Sequence, residues 1–144
     1  MSSLPKLSSF PSQTYDKLRY GDTDRQGHVN NAVFATFLET GRVALLEAAG
    51  RLLHEPGLSF VTARVNIDFH AEIFWPGTVE IGTAVKTIGN SSITFAQVLF
   101  QAEKCVATAE SVVVRVDTST HRSTPLNETM RSQLGTLLLA MPEA

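Results

Sequence analysis

The sequence lacks the features that mark several large classes of protein. Its 144 residues include a single cysteine, Cys105, which excludes an internal disulfide framework and a zinc site built from cysteines. Nowhere do roughly 18 apolar residues run without a charge, as a membrane-spanning helix requires. The formal net charge is −2, so the basic excess typical of nucleic-acid-binding proteins is missing, and we expect neither a nucleic acid nor a membrane as partner.

The composition that remains is that of a globular domain. Hydrophobic residues make up 43% and charged residues 18% of the chain. Met1 to Gln13 are rich in serine and proline and have no apolar core of the signal-peptide kind. We therefore expect residues 1–13 to form a flexible arm and residues 14–144 to form one domain. A reducing compartment, the cytoplasm, is the expected location.

One long helix with a buried stripe is predicted after residue 30. Asn30 or Asn31 suits its N-cap and Gly50 its end, which gives a helix of about 20 residues. Small residues such as Gly41 would allow close packing against a sheet. The apolar residues recur at spacings of three and four: Val33, Phe34, Phe37, Leu38, Gly41, Leu45, Ala48, Ala49 and Leu52.

Strands are predicted on both sides of this helix. Val61, Ala63, Val65, Ile67 and Phe69 alternate with polar residues, which predicts a strand with one buried face. The last four strands are joined by short connections and are predicted to form an antiparallel meander covered by the helix, a two-layer α+β domain. The predicted strands span residues 14–20, 61–70, 79–88, 93–102 and 105–117, and a short helix spans residues 126–141.

Chemically versatile residues are concentrated between Tyr20 and Phe34. The segment reads Tyr-Gly-Asp-Thr-Asp-Arg-Gln-Gly-His-Val-Asn-Asn-Ala-Val-Phe, and it leads into the predicted helix. A helix N-terminus has unpaired amides and the positive end of the dipole, which stabilise an anion. A nearby carboxylate can attack an acyl carbon or take a proton from water. Asp and Asn before a helix are also common caps and turn residues, so a purely structural role stays open.

This motif, followed by Glu39-Thr40-Gly41-Arg42, resembles the hotdog-fold acyl-CoA thioesterases, in particular the branch named after 4-hydroxybenzoyl-CoA thioesterase. The resemblance extends from Thr14 to Leu138. It implies a hotdog fold, with an antiparallel sheet of about five strands around one long helix. It also implies hydrolysis of an acyl-CoA thioester and assembly into a homodimer or homotetramer. Coenzyme A would be part of the substrate, and no separate cofactor is expected.

The resemblance assigns roles to three residues of the motif. Asp24 matches the catalytic carboxylate, which acts as nucleophile or general base. Asn31 lies where the family donates a backbone amide to the thioester carbonyl. His28 follows the motif glycine and is expected to assist water or position the substrate.

Other residues receive supporting roles. Gly27 permits a sharp turn near a ligand, and Asn30 is a further candidate for substrate contact. Ser91 and Ser92, in the turn after Ile88, are also candidates, although serines in a turn need no such role. Asp22 is expected to hold the loop.

Glu39 and Arg42 are expected to form an ion pair on the helix surface. The spacing of His54, His70 and His121 suggests no metal site, and Cys105 is expected to pack as a small apolar residue.

Two alternatives to hydrolysis stay open at this point. A hotdog hydratase or dehydratase would act on the acyl group and release no thiol. A non-catalytic acyl-CoA or acyl-carrier binding module would bind without turnover. The Asp-Thr-Asp run and His28 favour the hydrolase over both.

Overall fold

The structure is a computed structural model, and it describes residues 3–140. It contains a five-stranded antiparallel sheet, one long helix and one short C-terminal helix, which confirms the predicted α+β hotdog architecture. The strands are β1 (Ser12–Lys17), β2 (Leu58–Phe69), β3 (Thr78–Ile88), β4 (Ser92–Gln101) and β5 (Lys104–Asp117), and the helices are α1 (Val33–Ala48) and α2 (Glu128–Gly135).

The order of the strands in the sheet differs from the predicted meander. The observed order is β1-β3-β4-β5-β2, so only β3, β4 and β5 form a meander. β2 pairs with β5 at the far edge, and residues 70–77 carry the chain across the end of the sheet to β3. The prediction was wrong because it treated this connection as a hairpin turn. Ile73, in the middle of the connection, is fully buried and anchors it to the core.

A bulge in β2 also breaks the predicted alternation. The register shifts between Thr62 and Arg64. After this bulge the alternation of side chains is reversed: even-numbered residues face the core before it and odd-numbered residues face the core after it. Phe60 and Ile67 therefore both pack towards the core, whereas Val61 lies on the other face, beside Val114. Because β2 is an edge strand, the apolar residues expected to be buried stay accessible in this chain: Val61 is 45%, Val65 36% and Phe69 50% exposed.

Helix α1 crosses one face of the sheet, against β1, β3 and β4. Gly41 allows the close approach, since a Cβ built there would lie 2.5 Å from Ile81 Cγ2 and 2.6 Å from Thr83 Oγ1. The helix is shorter than predicted and starts at Val33, with Ala32 at the N-cap and no side-chain cap. The side chain of Asn30 instead accepts a hydrogen bond from the Ala32 amide (3.0 Å), which forms a turn before the helix.

Arg42 is buried, which contradicts the predicted surface ion pair with Glu39. Its Nη1 lies 3.3 Å from both Gln97 Oε1 and Ser111 Oγ, so it donates into the interface between helix and sheet. Gln97 in turn donates to the Leu38 carbonyl (2.9 Å). Glu39 stays exposed on the helix surface. Arg42 points to the sheet because it lies one residue after Gly41, on the packed side of the helix.

The chain termini cover part of the outer face of the sheet. β1 begins at Ser12, two residues before the predicted start of the domain, and Phe10 is only 3% exposed. Phe10, with Leu7 and Leu139 near it, packs on Val98 of the outer face. Part of the expected flexible arm is therefore packed, while Met1 and Ser2 lie outside the described residues.

Helix α2 is shorter than the predicted helix over residues 126–141. Asn127 caps it, because its Oδ1 accepts from the Met130 amide (2.9 Å). The helix ends at Gly135, and Met141 lies outside the described residues. Within residues 3–140, no helix has the length and apolar character needed to cross a membrane.

Candidate active site

The motif between β1 and α1 folds into a small hairpin whose tip carries Asp24. Thr23 and Val29 form an isolated antiparallel bridge, and the Asp24 amide donates to the His28 carbonyl (2.9 Å). Gly27 closes the turn with φ of +89°, and its amide donates to the Asp24 carbonyl (3.1 Å). Because other residues rarely adopt this conformation, the predicted turn-forming role of Gly27 is confirmed.

Asp22 holds the base of this hairpin, as predicted. Its side chain is buried, and Oδ2 accepts from the Arg19 amide (2.9 Å), while Oδ1 lies 3.5 Å from the Arg19 guanidinium. The Asp22 carbonyl accepts from the Asn30 amide (2.9 Å). Asp22 therefore ties the start of the loop to its exit into the helix.

The Asp24 carboxylate is held by its neighbours but stays accessible to a ligand. Oδ1 accepts a hydrogen bond from the Gln26 amide (2.8 Å), and Oδ2 lies 3.2 Å from His28 Nδ1. The Asp24 side chain is 32% exposed and the His28 side chain 20%. The carboxylate accepts one hydrogen bond, from the Gln26 amide, and a carboxylate can accept several, so acceptor positions stay open for a further partner. Asp24 is thus oriented from two sides and still open to a ligand.

Asn31 offers an amide next to this carboxylate. No hydrogen bond found among residues 3–140 is donated by its backbone N–H, whereas the flanking amides of Asn30 and Ala32 are both satisfied. The residue lies just before α1, whose N-terminus carries partial positive charge. An unpaired amide at this position can donate to a carbonyl oxygen as negative charge develops on it.

These residues share one cavity of about 560 Å³. It is open to solvent, and its lining combines the hairpin with the end of β2 and the connection that follows. The lining residues are Asp24, His28, Asn31, Phe69, His70, Ala71 and Glu72. The structure therefore brings together Asp24, His28 and Asn31, which are the three residues predicted to be catalytic.

Glu72 is a cavity residue that the sequence did not reveal. Its Oε1 lies 3.3 Å from His28 Nε2, so the imidazole ring stands between two carboxylates. Phe74 packs edge-on to the same ring, with ring centroids 6.2 Å apart. Glu72 lies far from His28 in the sequence, in a segment without a motif, and its only signal was its place beside the apolar Ile73 after a predicted strand.

Ser91 and Ser92 are not brought to this cavity. They lie in the β3–β4 turn, where the Ser91 carbonyl accepts from the Arg115 amide (2.8 Å) and the Ser92 carbonyl accepts from the Gly89 amide (2.8 Å). Ser92 pairs with Val114 of β5, whereas Phe69 pairs with Ala107. About seven residues of strand separate these points, roughly 23 Å. Asn30 lies beside the cavity, with its side chain turned to the Ala32 amide.

Histidine and acidic side chains are the ones that could bind a metal ion in this protein. Over residues 3–140, His, Cys, Asp and Glu side chains form no group of three that could hold a metal ion. That no metal takes part stays a prediction.

A family model, that of the thioesterase-like superfamily, matches residues 18–134. The chain belongs to the thioesterase-like superfamily. This match covers the hairpin, the helix and the whole sheet after β1, and it confirms the family that the Tyr20–Phe34 motif indicated.

Individual relatives agree with this assignment. The acyl-CoA thioester hydrolase YbgC of Escherichia coli O6:H1 is 28% identical over 115 residues, which cover 77% of this chain and 83% of that protein. A thioesterase from Thermus thermophilus, solved in complex with coenzyme A and Zn, is 28% identical with a TM-score of 0.79, and the match covers 89% of this chain and 95% of that one.

A solved protein from Bacillus stearothermophilus, described as a predicted thioesterase, is also similar. It is 25% identical with a TM-score of 0.83, and the match covers 90% of this chain and 98% of that one. The predicted enzyme class, a thioester hydrolase, and the hotdog fold are confirmed.

Proposed function

We propose that this protein hydrolyses an acyl-CoA thioester to a free acid and coenzyme A. One observation carries the proposal: the Asp24 carboxylate and the unpaired Asn31 amide border the same open cavity at the start of α1. An acyl-CoA is the substrate that the name of the similar YbgC protein gives for that protein. Coenzyme A enters and leaves with the substrate, and we propose no separate cofactor. The proposed location is the cytoplasm.

In the proposed reaction the thioester carbonyl oxygen accepts a hydrogen bond from the Asn31 amide. The positive end of α1 stabilises the charge that develops on this oxygen. Asp24 then acts in one of two ways. As nucleophile it attacks the carbonyl carbon, the bond to sulfur breaks, and water cleaves the resulting mixed anhydride. As general base it takes a proton from the water that attacks the carbonyl carbon, after which the bond to sulfur breaks and coenzyme A leaves.

A single turnover in ¹⁸O-labelled water separates these two routes. Label that appears in the Asp24 carboxylate shows that the anhydride formed and that water then attacked the Asp24 side of it, which excludes simple base catalysis. Label found only in the released acid fits the base route, or water attack on the acyl carbon of the anhydride. Trapping an acylated Asp24 with hydroxylamine distinguishes these last two cases.

The proposed assembly is a homodimer or homotetramer. The edge strand β2 exposes Val61, Val65 and Phe69, and an uncovered apolar edge favours pairing with another chain. Phe69 also lines the cavity beside Asp24. A second copy paired along β2 would therefore lie next to the site and limit its access to water.

The direct test is a thiol-release assay over aliphatic and aromatic acyl-CoAs. For a substrate that is hydrolysed, we expect Asp24→Asn to lower kcat roughly a thousandfold, because the reacting oxygen is lost while hairpin contacts are kept. The melting temperature should change little. Asn31→Ala should lower kcat far less, since the backbone amide of residue 31 remains. Asp16→Asn, on the opposite edge strand β1, is the control and should match the wild type.

Other results would point to the alternatives. Saturable acyl-CoA binding without thiol release over the whole panel would favour a binding module, and a changed acyl group without thiol release would favour a hydratase or dehydratase. Equal activity of the wild type and Asp24→Asn would remove Asp24 from the mechanism.

A further inference from the structure

The His28 ring has a carboxylate at each nitrogen, and only one of the two carboxylates has a place in the reaction proposed above. Nδ1 lies 3.2 Å from Asp24 Oδ2 and Nε2 lies 3.3 Å from Glu72 Oε1. We infer that Glu72 is a positioning residue, which holds the His28 ring so that the ring in turn orients the Asp24 carboxylate. The inference rests on the proposed function for its effect on turnover, but the contact itself belongs to the free protein.

The backbone places Glu72 there independently of its side chain. His28 and Phe74 form an isolated antiparallel bridge, and the Val29 amide donates to the Ile73 carbonyl (2.7 Å). Ile73, the residue after Glu72, is fully buried. The hairpin and the β2–β3 connection are therefore joined at the point where the two side chains meet.

The chemistry of the ring explains what this arrangement does. An ionised carboxylate only accepts hydrogen bonds, and an imidazole carries a proton on both nitrogens only in its cationic form. Each ring nitrogen of His28 faces a carboxylate oxygen, so the two ends of the ring have an acceptor beside them. Rotation of the ring would cost both contacts. The Phe74 ring also packs on the imidazole, nearly perpendicular to it, with ring centroids 6.2 Å apart.

Glu72 itself is too exposed for a large part in stability. Its side chain is 59% exposed, and ion pairs at that level of exposure contribute little to folding because water screens them. We expect Glu72 to act instead on the orientation of the Asp24 carboxylate. Displacement of a reacting group by about 1 Å can cost on the order of a hundredfold in rate, so a partial loss of orientation has a measurable effect without unfolding.

A double-mutant cycle tests whether Glu72 acts through His28. We expect Glu72→Ala to lower kcat about tenfold with KM within about twofold, because ground-state binding is kept and orientation is lost. In a His28→Ala background the same change should cost less than about twofold. Glu103→Ala, at an exposed carboxylate in the β4–β5 turn, is the matched control and should change neither background. An equal loss in both backgrounds, or no loss in the first, overturns the inference.

A second measurement does not depend on activity. The ¹⁵N resonances of the His28 ring, recorded on the free protein, should shift in Glu72→Ala and stay unchanged in Glu103→Ala. Unchanged His28 resonances in Glu72→Ala overturn the inference. If the wild type hydrolyses no acyl-CoA, the proposed function fails while the ring resonances still decide whether Glu72 holds His28.

Discussion

At the scale of single residues, the position of Arg42 differs from the one that its spacing from Glu39 predicted. Glu39 and Arg42 are three positions apart, which suits an ion pair on a helix surface. Arg42 instead inserts between helix and sheet and meets the neutral groups of Gln97 and Ser111. Burial lowers the pKa of Arg42, while the negative charge of Glu39 opposes this effect. The guanidinium is tolerated because its neighbours accept its hydrogen bonds.

Cys105 supplies a prediction at the same scale. It is 8% exposed and packs near Phe10 and Val98, which confirms its predicted role as a small apolar residue. Burial raises the pKa of its thiol, so less of the reactive thiolate is present at neutral pH. We expect the folded protein to react with iodoacetamide at about pH 7.5 at least about tenfold more slowly than free cysteine.

Unfolding in guanidinium chloride should restore the ordinary rate of reaction, which mass spectrometry of the alkylated protein measures. Rapid alkylation of the folded protein would show that the Cys105 thiol is accessible. The same property matters for the thiol-release assay, because a shielded Cys105 adds no background to the coenzyme A signal.

At the scale of elements, the contact between α1 and the sheet depends on one missing side chain. A Cβ on Gly41 would lie 2.5 Å from Ile81 Cγ2, 2.6 Å from Thr83 Oγ1 and 2.8 Å from Gln97 Nε2. All three neighbours are buried, so none can move into solvent. The absence of a side chain at this position therefore lets α1 lie close to β3 and β4.

We expect Gly41→Ala to lower the free energy of unfolding by about 1–2 kcal/mol, because overpacking outweighs the gain in helix propensity. Gly135→Ala, at the end of α2, is the matched control. A Cβ there meets nothing within 4 Å. This variant should be neutral or stabilised by less than about 1 kcal/mol. Denaturant unfolding measures both, and equal effects of the two variants would contradict the packing argument.

At the scale of the whole molecule, the two edges of the sheet differ. β1 is a short edge of six residues, with Asp16 and Lys17 near its end. β2 has 12 residues and exposes Val61, Val65 and Phe69 along its length. Charged residues and short length discourage pairing between sheet edges, whereas long apolar edges favour it. The β2 edge is therefore the surface on which the proposed assembly depends.

We expect light scattering to give a dimer or tetramer for the wild type and a smaller species for Val65→Lys, because a buried lysine in a paired edge is costly. Tyr15→Lys places the same charge at an aromatic residue of β1 that is 68% exposed, and it should leave the mass unchanged. If Tyr15→Lys dissociates the assembly and Val65→Lys does not, the interface lies at the β1 edge and not at β2.

The sequence by itself determined most of the elements and the short motif that lines the cavity. Periodicity located α1 and the strands β3 to β5 to within a few residues, since these patterns reflect burial on one face. It also indicated a C-terminal helix, which ends at Gly135, well before the predicted residue 141. The compact motif from Tyr20 to Phe34 placed Asp24, His28 and Asn31 together, because residues a few positions apart in one turn cannot lie far apart.

Only the tertiary structure decided the features that depend on distant pairing. The position of β2 beside β5, its bulge, the burial of Arg42 and the approach of Glu72 to His28 each join segments that are far apart in the sequence. Local propensity carries no information on such pairings, because they are selected by how the whole chain buries its apolar surface. The hairpin carries Asp24 and His28, and the crossing of residues 70–77 over the end of the sheet supplies the opposite side of the cavity.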